Sequence, residues 1–314
     1  MLGVHLPVLT AAVVQGLAVA GDGVYVDCTF GRGGHARAIL SALGPEGRLL
    51  ALDRDPQAVA AGNVLASEDP RFNIEHASFD HLAEHVQRQT LCGTLAGILF
   101  DLGVSSPQLD EADRGFSFTR DGPLDMRMDP ASGQPVGAWL NAAPLGDIAR
   151  VLRELGEERH ARRIASRIVE AREAKPLRRT GELAELVSRA YPARERHGPR
   201  HPATRTFQAL RIHANDELAK ITAALPQALR SLAPGGRLAV ITFHSLEDRI
   251  VKRFLRDQSR PEQGPRRLPI PNAELSAPIA SLSRPIRPAA EEIAANPRAR
   301  SATLRVAVKQ GQLP

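Results

Sequence analysis

Short apolar runs that stop at an acid recur along the first third of the chain, the earlier ones followed by stretches with helical spacing. Val24-Tyr25-Val26 stops at Asp27, Arg48-Leu49-Leu50-Ala51-Leu52 at Asp53, and Leu95-Ala96-Gly97-Ile98-Leu99-Phe100 at Asp101. Phe72-Asn73-Ile74-Glu75-His76-Ala77 alternates instead and ends near Ser78-Phe79-Asp80. Continuous apolar runs suit central parallel strands covered on both faces, and alternation marks a half-buried strand. Between them, Leu6–Ala20, Ala36–Leu40, the segment opened by Asp55-Pro56, and Leu82–Gln89 predict helices. Repeated strand–helix alternation argues for a doubly wound, mostly parallel sheet with helices on both faces. Ligands of such sheets bind at the carboxyl ends of the strands. Asp27, Asp53, Phe79 and Asp101 all fall at or just past such an end.

From about Gly137 the texture changes. Ile148, Val151, Leu152 and Leu155 recur at helical spacing, as do Ile164, Ile168 and Val169, and Thr180 is placed to cap a helix carrying Leu183, Leu186 and Val187. This predicts an all-helical insertion over residues 137–210, dividing a sheet domain into 1–136 and 211–314. The sheet resumes with a Pro234-Gly235-Gly236 turn and an Arg237–Phe243 strand. A helix capped by Ser245, with Asp248 three residues on, shows an apolar face of Ile250, Val251, Phe254 and Leu255. Residues 258–290, rich in Pro, Arg and Ser, are expected to be irregular. Asn296–Ser301 leads into a last strand, Thr303–Val308.

The chemistry concentrates after the first strand, at Gly31-Arg32-Gly33-Gly34-His35-Ala36. Glycines between a strand and a helix let backbone N–H groups and a helix N-terminus approach a ligand. Asp53, about 20 residues on, stands where a nucleotide-binding unit holds ribose hydroxyls. The same spacing satisfies the dinucleotide pattern, so an NAD enzyme is one alternative. Leu102-Gly103-Val104-Ser105-Ser106-Pro107-Gln108-Leu109-Asp110 predicts an irregular loop just beyond Asp101, suited to holding an acceptor, with Asp101, Ser105 and Ser106 as candidate catalytic groups. The connection that follows lacks clear periodicity. Its Phe116 and Phe118 are candidates either for stacking on a base or for a small cap core.

Charge narrows the choice. The chain of 314 residues has a net charge of +6, and Lys175–His213 alone holds nine Lys or Arg against three Glu. Such concentration favours a phosphate-binding surface; Arg178, Arg179, Arg194, Arg196, Arg200 and Arg205 are its candidates. A basic segment and a Ser-Ser-Pro-Gln loop favour methyl transfer from S-adenosyl-L-methionine to a nucleic acid. A module that only binds RNA is the non-enzymatic alternative. Methylation of a pyrimidine carbon needs a cysteine nucleophile. Cys28, in the glycine turn, and Cys92, ahead of a strand, are badly placed for that, so an exocyclic amine or a ribose hydroxyl is the expected acceptor. The two cysteines have no metal-ligand or redox spacing, no metal site is expected, and no secretory or membrane-spanning segment is seen. A reducing cytoplasmic setting follows.

Longer motifs carry a resemblance. Asp27–His35, Phe100–Asp110, Arg114–Phe118, Pro123–Met128, Gly156-Glu157-Glu158-Arg159, His201–Ile212, Phe243–Asp248 and Asn296–Ser301 resemble the bacterial ribosomal RNA small subunit methyltransferase H family, also called MraW. The likeness runs over nearly the whole chain; Thr242 stands where many members have serine. It implies a class I, Rossmann-like methyltransferase fold with a helical insertion. It also implies methylation of the N4 amine of a cytidine in the decoding region of 16S ribosomal RNA, with the small ribosomal subunit as the setting and a homodimer left open. For S-adenosyl-L-methionine it implies Gly33, Gly34, His35, Asp53, Phe79, Asp101 and Gln108, to which the glycine turn itself adds Gly31.

Overall fold

A computed structural model describes residues 7–196, 198, 201–261 and 277–311. Arg200, one of the candidate phosphate contacts, lies outside the described residues. The chain forms two units: Met1–Gly103 with Leu218–Pro314, and Val104–Glu217.

In the first unit, β1 (Val24–Asp27), β2 (Arg48–Asp53), β3 (Phe72–His76), β4 (Leu95–Asp101), β5 (Leu232–Thr242), β6 (Ile279–Leu282) and β7 (Thr303–Lys309) form one sheet in the order β3-β2-β1-β4-β5-β7-β6. The first five are parallel; β7 runs antiparallel between β5 and β6. This is the class I methyltransferase topology expected from the sequence. The period-2 geometry of a strand explains why its apolar runs are continuous. Leu49, Ala51, Leu99, Ala239 and Ile241 join one core with α1 (Thr10–Leu17), α2 (Gly34–Ala42) and α3 (Pro56–Glu68). Their neighbours Leu50, Leu52, Ile98, Phe100, Leu238 and Val240 join the other with α4 (Leu82–Arg88), α11 (Glu217–Ser231) and α12 (Ser245–Gln258). Each residue moves its side chain to the opposite face, and both faces are covered.

Local details differ from the sequence expectations. The first helix is shorter than Leu6–Ala20. Pro234-Gly235-Gly236 lies inside β5, where the pairing jumps from Leu95↔Leu232 to Gly97↔Arg237, so the turn is a bulge in a strand. The cap of α12 is His244 rather than Ser245: Glu247 accepts the N–H groups of Phe243 (2.8 Å) and His244 (3.3 Å). Asp248 instead takes a two-pronged hydrogen bond from Arg305 of β7 at 2.8 and 3.0 Å. Strand β6 falls inside the stretch expected to be irregular.

The second unit contains α5 (Ser106–Asp110), α6 (Val136–Ala142), α7 (Leu145–Gly156), α8 (Ala161–Ala174), α9 (Thr180–Ala190) and α10 (Ala203–Asn215). It is broader than the 137–210 insertion expected from periodicity. Phe116, Leu124, Met126 and Met128 pack into the same core as Ile148, Leu152, Ile164, Ile168, Leu183 and Leu210. The connection carrying them is non-repetitive because polar side chains hold its backbone. Arg114 donates to the carbonyls of Arg127 (3.2 Å) and Met128 (2.8 Å), and Asn215 accepts the N–H of Met128 and donates to the carbonyl of Met126. Thr180 does not cap α9; Glu182 does, accepting the N–H groups of Arg178 and Arg179, while Thr180 Oγ1 accepts the N–H of Gly122. Phe116 is core, and Phe118 lies against His201 and Phe207 at 4.6 and 5.0 Å, which favours the cap-core alternative over base stacking. No described helix is long and apolar enough to cross a membrane.

Candidate active site

The carboxyl ends of β1, β2 and β4 bring Asp27, Asp53 and Asp101 to one edge of the sheet, because the three strands are parallel neighbours. The chain then turns through Phe30–Gly34 into α2. Gly31 and Gly33 take positive φ of 58° and 76°, and a Cβ on Gly33 would sit 2.6 Å from the Phe30 ring. A side chain is thus disfavoured there by both backbone and space.

Asp53 has a structural task at this turn. One carboxylate oxygen accepts the N–H of Gly31 at 2.8 Å, the other the N–H of Asp55 at 2.8 Å. Burial pushes its pKa up to about 6, against the lowering effect of those N–H groups. Phe79, in the turn after β3, meets Phe100 edge-on with ring centres 5.6 Å apart. Its turn is fastened from α11: Lys220 donates to Ser78 Oγ (2.9 Å) and Asp80 (3.3 Å), and Gln227 donates to the carbonyl of Asp80 (2.6 Å) and accepts the N–H of Ala83 (2.8 Å). Sequence reasoning missed both α11 residues, since nothing in their spacing links them to a strand end.

Between β1 and β4 lies the most unusual cluster. Thr29 ties the two strand ends together: its hydroxyl accepts the Asp101 N–H at 2.6 Å and faces Asp27 Oδ1 at 3.5 Å, and its own N–H donates to Asp27 Oδ1 at 3.0 Å. His35, on the first turn of α2, is 5 % exposed and sets Nε2 3.4 Å from Asp101 Oδ2, an ion-pair contact rather than a formed hydrogen bond. Asp27 Oδ2, both ring nitrogens of His35 and Asp101 Oδ1 are buried without a hydrogen-bond partner among the described residues. Burial pushes Asp27 up to about 6, with His35 pulling the other way. Burial by itself would lower His35; Asp101, Asp27 and Glu292 outweigh it and leave its pKa raised. Buried polar atoms left unpaired are costly, and where they cluster they mark a place built for a polar ligand. Two carboxylates around one histidine favour a ligand that brings positive charge. Strand-end acids, a glycine turn and an aromatic ring fit a cationic nucleoside cofactor.

The remaining expected residues belong to the second unit. Ser105 precedes the short helix α5, and its N–H donates to the Gln108 side-chain carbonyl at 3.0 Å; Gln108 is buried. Ser106 is the first residue of α5. The basic candidates separate by what their side chains do. Arg179 is paired with Asp121, Arg196 donates to the carbonyls of Tyr191 and Arg189, and Arg205 donates to that of Glu157. These three are partly engaged in holding the unit together. Arg194 reaches Glu195 only at 3.7 Å, and Arg178 forms no ion pair among the described residues. The exposed Arg162 and Arg163 on α8 likewise form none. They precede the basic stretch in the sequence, but they stand off the Ile164–Ile168 stripe, a signal that helical spacing carries.

A family model described as the MraW methylase family matches residues 3–310. A curated relative from Nitrosococcus oceani, "Ribosomal RNA small subunit methyltransferase H", is 57% identical over 307 residues, covering 98% of this chain and 97% of its own. Solved structures are more distant. An rRNA methylase from Streptococcus thermophilus is 11% identical over 98% of this chain and 99% of its own, with a TM-score of 0.43. Fibrillarin from Aeropyrum pernix is 10% identical over 96% and 74%, with a TM-score of 0.39. Matched over nearly its whole length by the family model and by a relative of this identity, the chain belongs to the MraW methylase family.

Proposed function

We propose that the protein transfers a methyl group from S-adenosyl-L-methionine to the N4 amine of a cytidine in the decoding region of 16S ribosomal RNA, within the small ribosomal subunit. Family membership supports the reaction class, and the name of the Nitrosococcus relative supports small-subunit ribosomal RNA as the substrate. The single structural observation that carries the proposal is the Asp27–His35–Asp101 cluster at the strand ends, with buried polar atoms unpaired among the described residues, beside a glycine turn fastened by Asp53.

Gly31, Gly33, Gly34, His35, Asp53 and Phe79 are the residues of the first unit that would hold the cofactor, Asp53 at the ribose. When bound, the cofactor supplies a methyl on a sulfonium, and the sulfur keeps the electron pair of the broken bond. Asp101 accepts an N–H of the acceptor amine. That amine is conjugated with its ring and is a poor nucleophile. A hydrogen bond to Asp101 localises the lone pair, and it strengthens as positive charge develops on nitrogen, so it acts on turnover more than on ground-state binding. Asp101 then takes the proton that the methylated nitrogen sheds. The exposed arginines of the second unit contribute RNA affinity through phosphate contacts.

The test is methyl transfer with labelled cofactor to small subunits from cells lacking the enzyme, followed by nucleoside analysis. Label in N4-methylcytidine is the expected result. Label on a pyrimidine carbon or a ribose hydroxyl, or none, overturns the proposal.

A further inference from the structure

His35 is a histidine that the glycine turn does not need. The turn and the start of α2 require glycine at Gly33 and a close approach at Gly34, where a Cβ would lie 2.8 Å from Pro7; nothing in that geometry asks for an imidazole next. Yet the ring is buried, and among the described residues no backbone carbonyl satisfies it. A histidine present only for packing would be expected to find a hydrogen bond or to give way to an apolar residue. Instead, among the described residues the charges that act most strongly on this ring are acids: Asp101 from β4, Asp27 from β1 and Glu292 from α13 (Ala290–Ala295). Asp101 is oriented from both sides. Its backbone N–H is held by Thr29, its Oδ2 faces His35 Nε2 at 3.4 Å, and its Oδ1 has no partner among the described residues.

We propose that His35 is a positioning residue for methyl transfer: as a buried cation beside Asp27 and Asp101, it engages one oxygen of Asp101 and fixes the orientation of the carboxylate that accepts the N–H of the substrate amine. The inference rests on the methyl-transfer function proposed above. Without the imidazolium, Asp27 and Asp101 would face each other without that compensating charge, and Asp101 would lose the contact that holds one of its oxygens. A carboxylate free to turn would meet the amine N–H less well and receive its proton less readily. With His35 charged, the amine proton passes to Asp101 as the electron pair of its N–H bond returns to nitrogen. The carboxyl then releases the proton to solvent, and His35 keeps its own throughout.

Two measurements test this. The first needs no turnover: nitrogen NMR of the imidazole rings of the full-length protein at pH 7.5. The His35 signal should be that of an imidazolium in the wild type and shift toward the neutral ring in Asp101→Asn. A neutral His35 in the wild type overturns the proposal. The second is single-turnover methylation of small subunits at saturating cofactor and RNA, as a function of pH, for wild type and His35→Gln. The variant should be slower by roughly 30-fold or more at pH 7, the scale of a lost electrostatic stabiliser. The wild-type rate should fall at high pH as His35 loses its proton, and the variant should lack that alkaline limb. A uniform loss with an unchanged profile, or a loss explained wholly by weaker cofactor binding in calorimetry, would make His35 a structural or cofactor contact only. Absence of N4-methylcytidine with the wild type would instead overturn the reaction itself, whatever the NMR shows.

Discussion

The carboxylate of Asp53 accepts the N–H of Gly31 at 2.8 Å, so the acid that ends β2 is tied to the turn that follows β1. In the proposed site the same oxygens would address the ribose, so that ligand and turn would share one side chain. Asp53→Ala should weaken S-adenosylmethionine binding by about 1.5–3 kcal/mol, the scale of hydrogen bonds to a charged group. It should also lower the melting temperature without cofactor. Asp53→Asn keeps one acceptor for Gly31 and should recover more of the stability than of the affinity. Calorimetry and thermal melts on both variants check this, and equal recovery of the two would count against the shared role.

Gly33→Ala probes the turn from the other side. A left-handed residue with a Cβ costs about 1–2 kcal/mol, and here the Cβ meets the Phe30 ring at 2.6 Å. The variant should melt lower and lose cofactor affinity together. A melting temperature and affinity like those of the wild type would show that the turn relaxes freely.

The buried acids make a prediction about pH. The folded-state pKa of Asp27 is raised from 3.8 to about 6. A raised acid binds more protons folded than unfolded between those values, so stability falls as pH rises through that window. His35, also raised, contributes stability that is complete below its unfolded pKa of 6.5 and is lost as pH climbs through the folded value. Both act in one direction. Asp27→Asn should therefore stabilise the cofactor-free protein at pH 8 by up to about 3 kcal/mol, from 1.36 kcal/mol per pKa unit, and the gain should vanish near pH 4. Thermal melts across pH give the curve; a variant less stable than wild type at pH 8 would contradict it.

Asp101→Asn should cut the single-turnover rate at saturating substrates by about 100-fold. A near-wild-type rate would leave Asp101 with a binding role only.

Arg162, Arg163 and Arg178 form no ion pairs among the described residues. Replacing all three with Ala should reduce the slope of log affinity for RNA against log salt by roughly 2, at 0.7–0.9 per phosphate contact. Cofactor binding should be unchanged. The equivalent triple at Arg179, Arg196 and Arg205 should cost stability as well, because those side chains hold Asp121 and backbone carbonyls. An unaltered slope in the first triple would assign the phosphate contacts elsewhere.

The sheet and its strand-end acids are legible in the sequence because apolar runs covered on both faces leave a strong signal, and each stops where an acid begins. Other features are not written locally. Strand β6 is four residues long at a sheet edge, with only Ile279 buried. Helix α11 carries Pro226 in its interior. The second unit starts at Val104 because Phe116, Leu124 and Met126 enter its core from a segment with no period of its own. In the candidate site, Asp27, Asp53, Phe79 and Asp101 follow from strand ends alone. Their differing states do not: Asp53 is satisfied by two N–H groups while an oxygen of Asp27 has none, and only the fold decides which neighbours each acid meets.

Strand β7 lies between β5 and β6, although it is the last of the seven along the chain. Val306 reaches across to α1, where a Cβ on Gly16 would lie 2.8 Å from it. During vectorial synthesis, β1 to β5 must therefore wait with one edge of the sheet open until residues 303–309 have left the ribosome. Pairings of such long sequence separation slow folding and leave an interval exposed to misassembly. The five strands are complete at Thr242, so the edge stays open through synthesis of the segment up to Thr303 and closes only when β7 pairs.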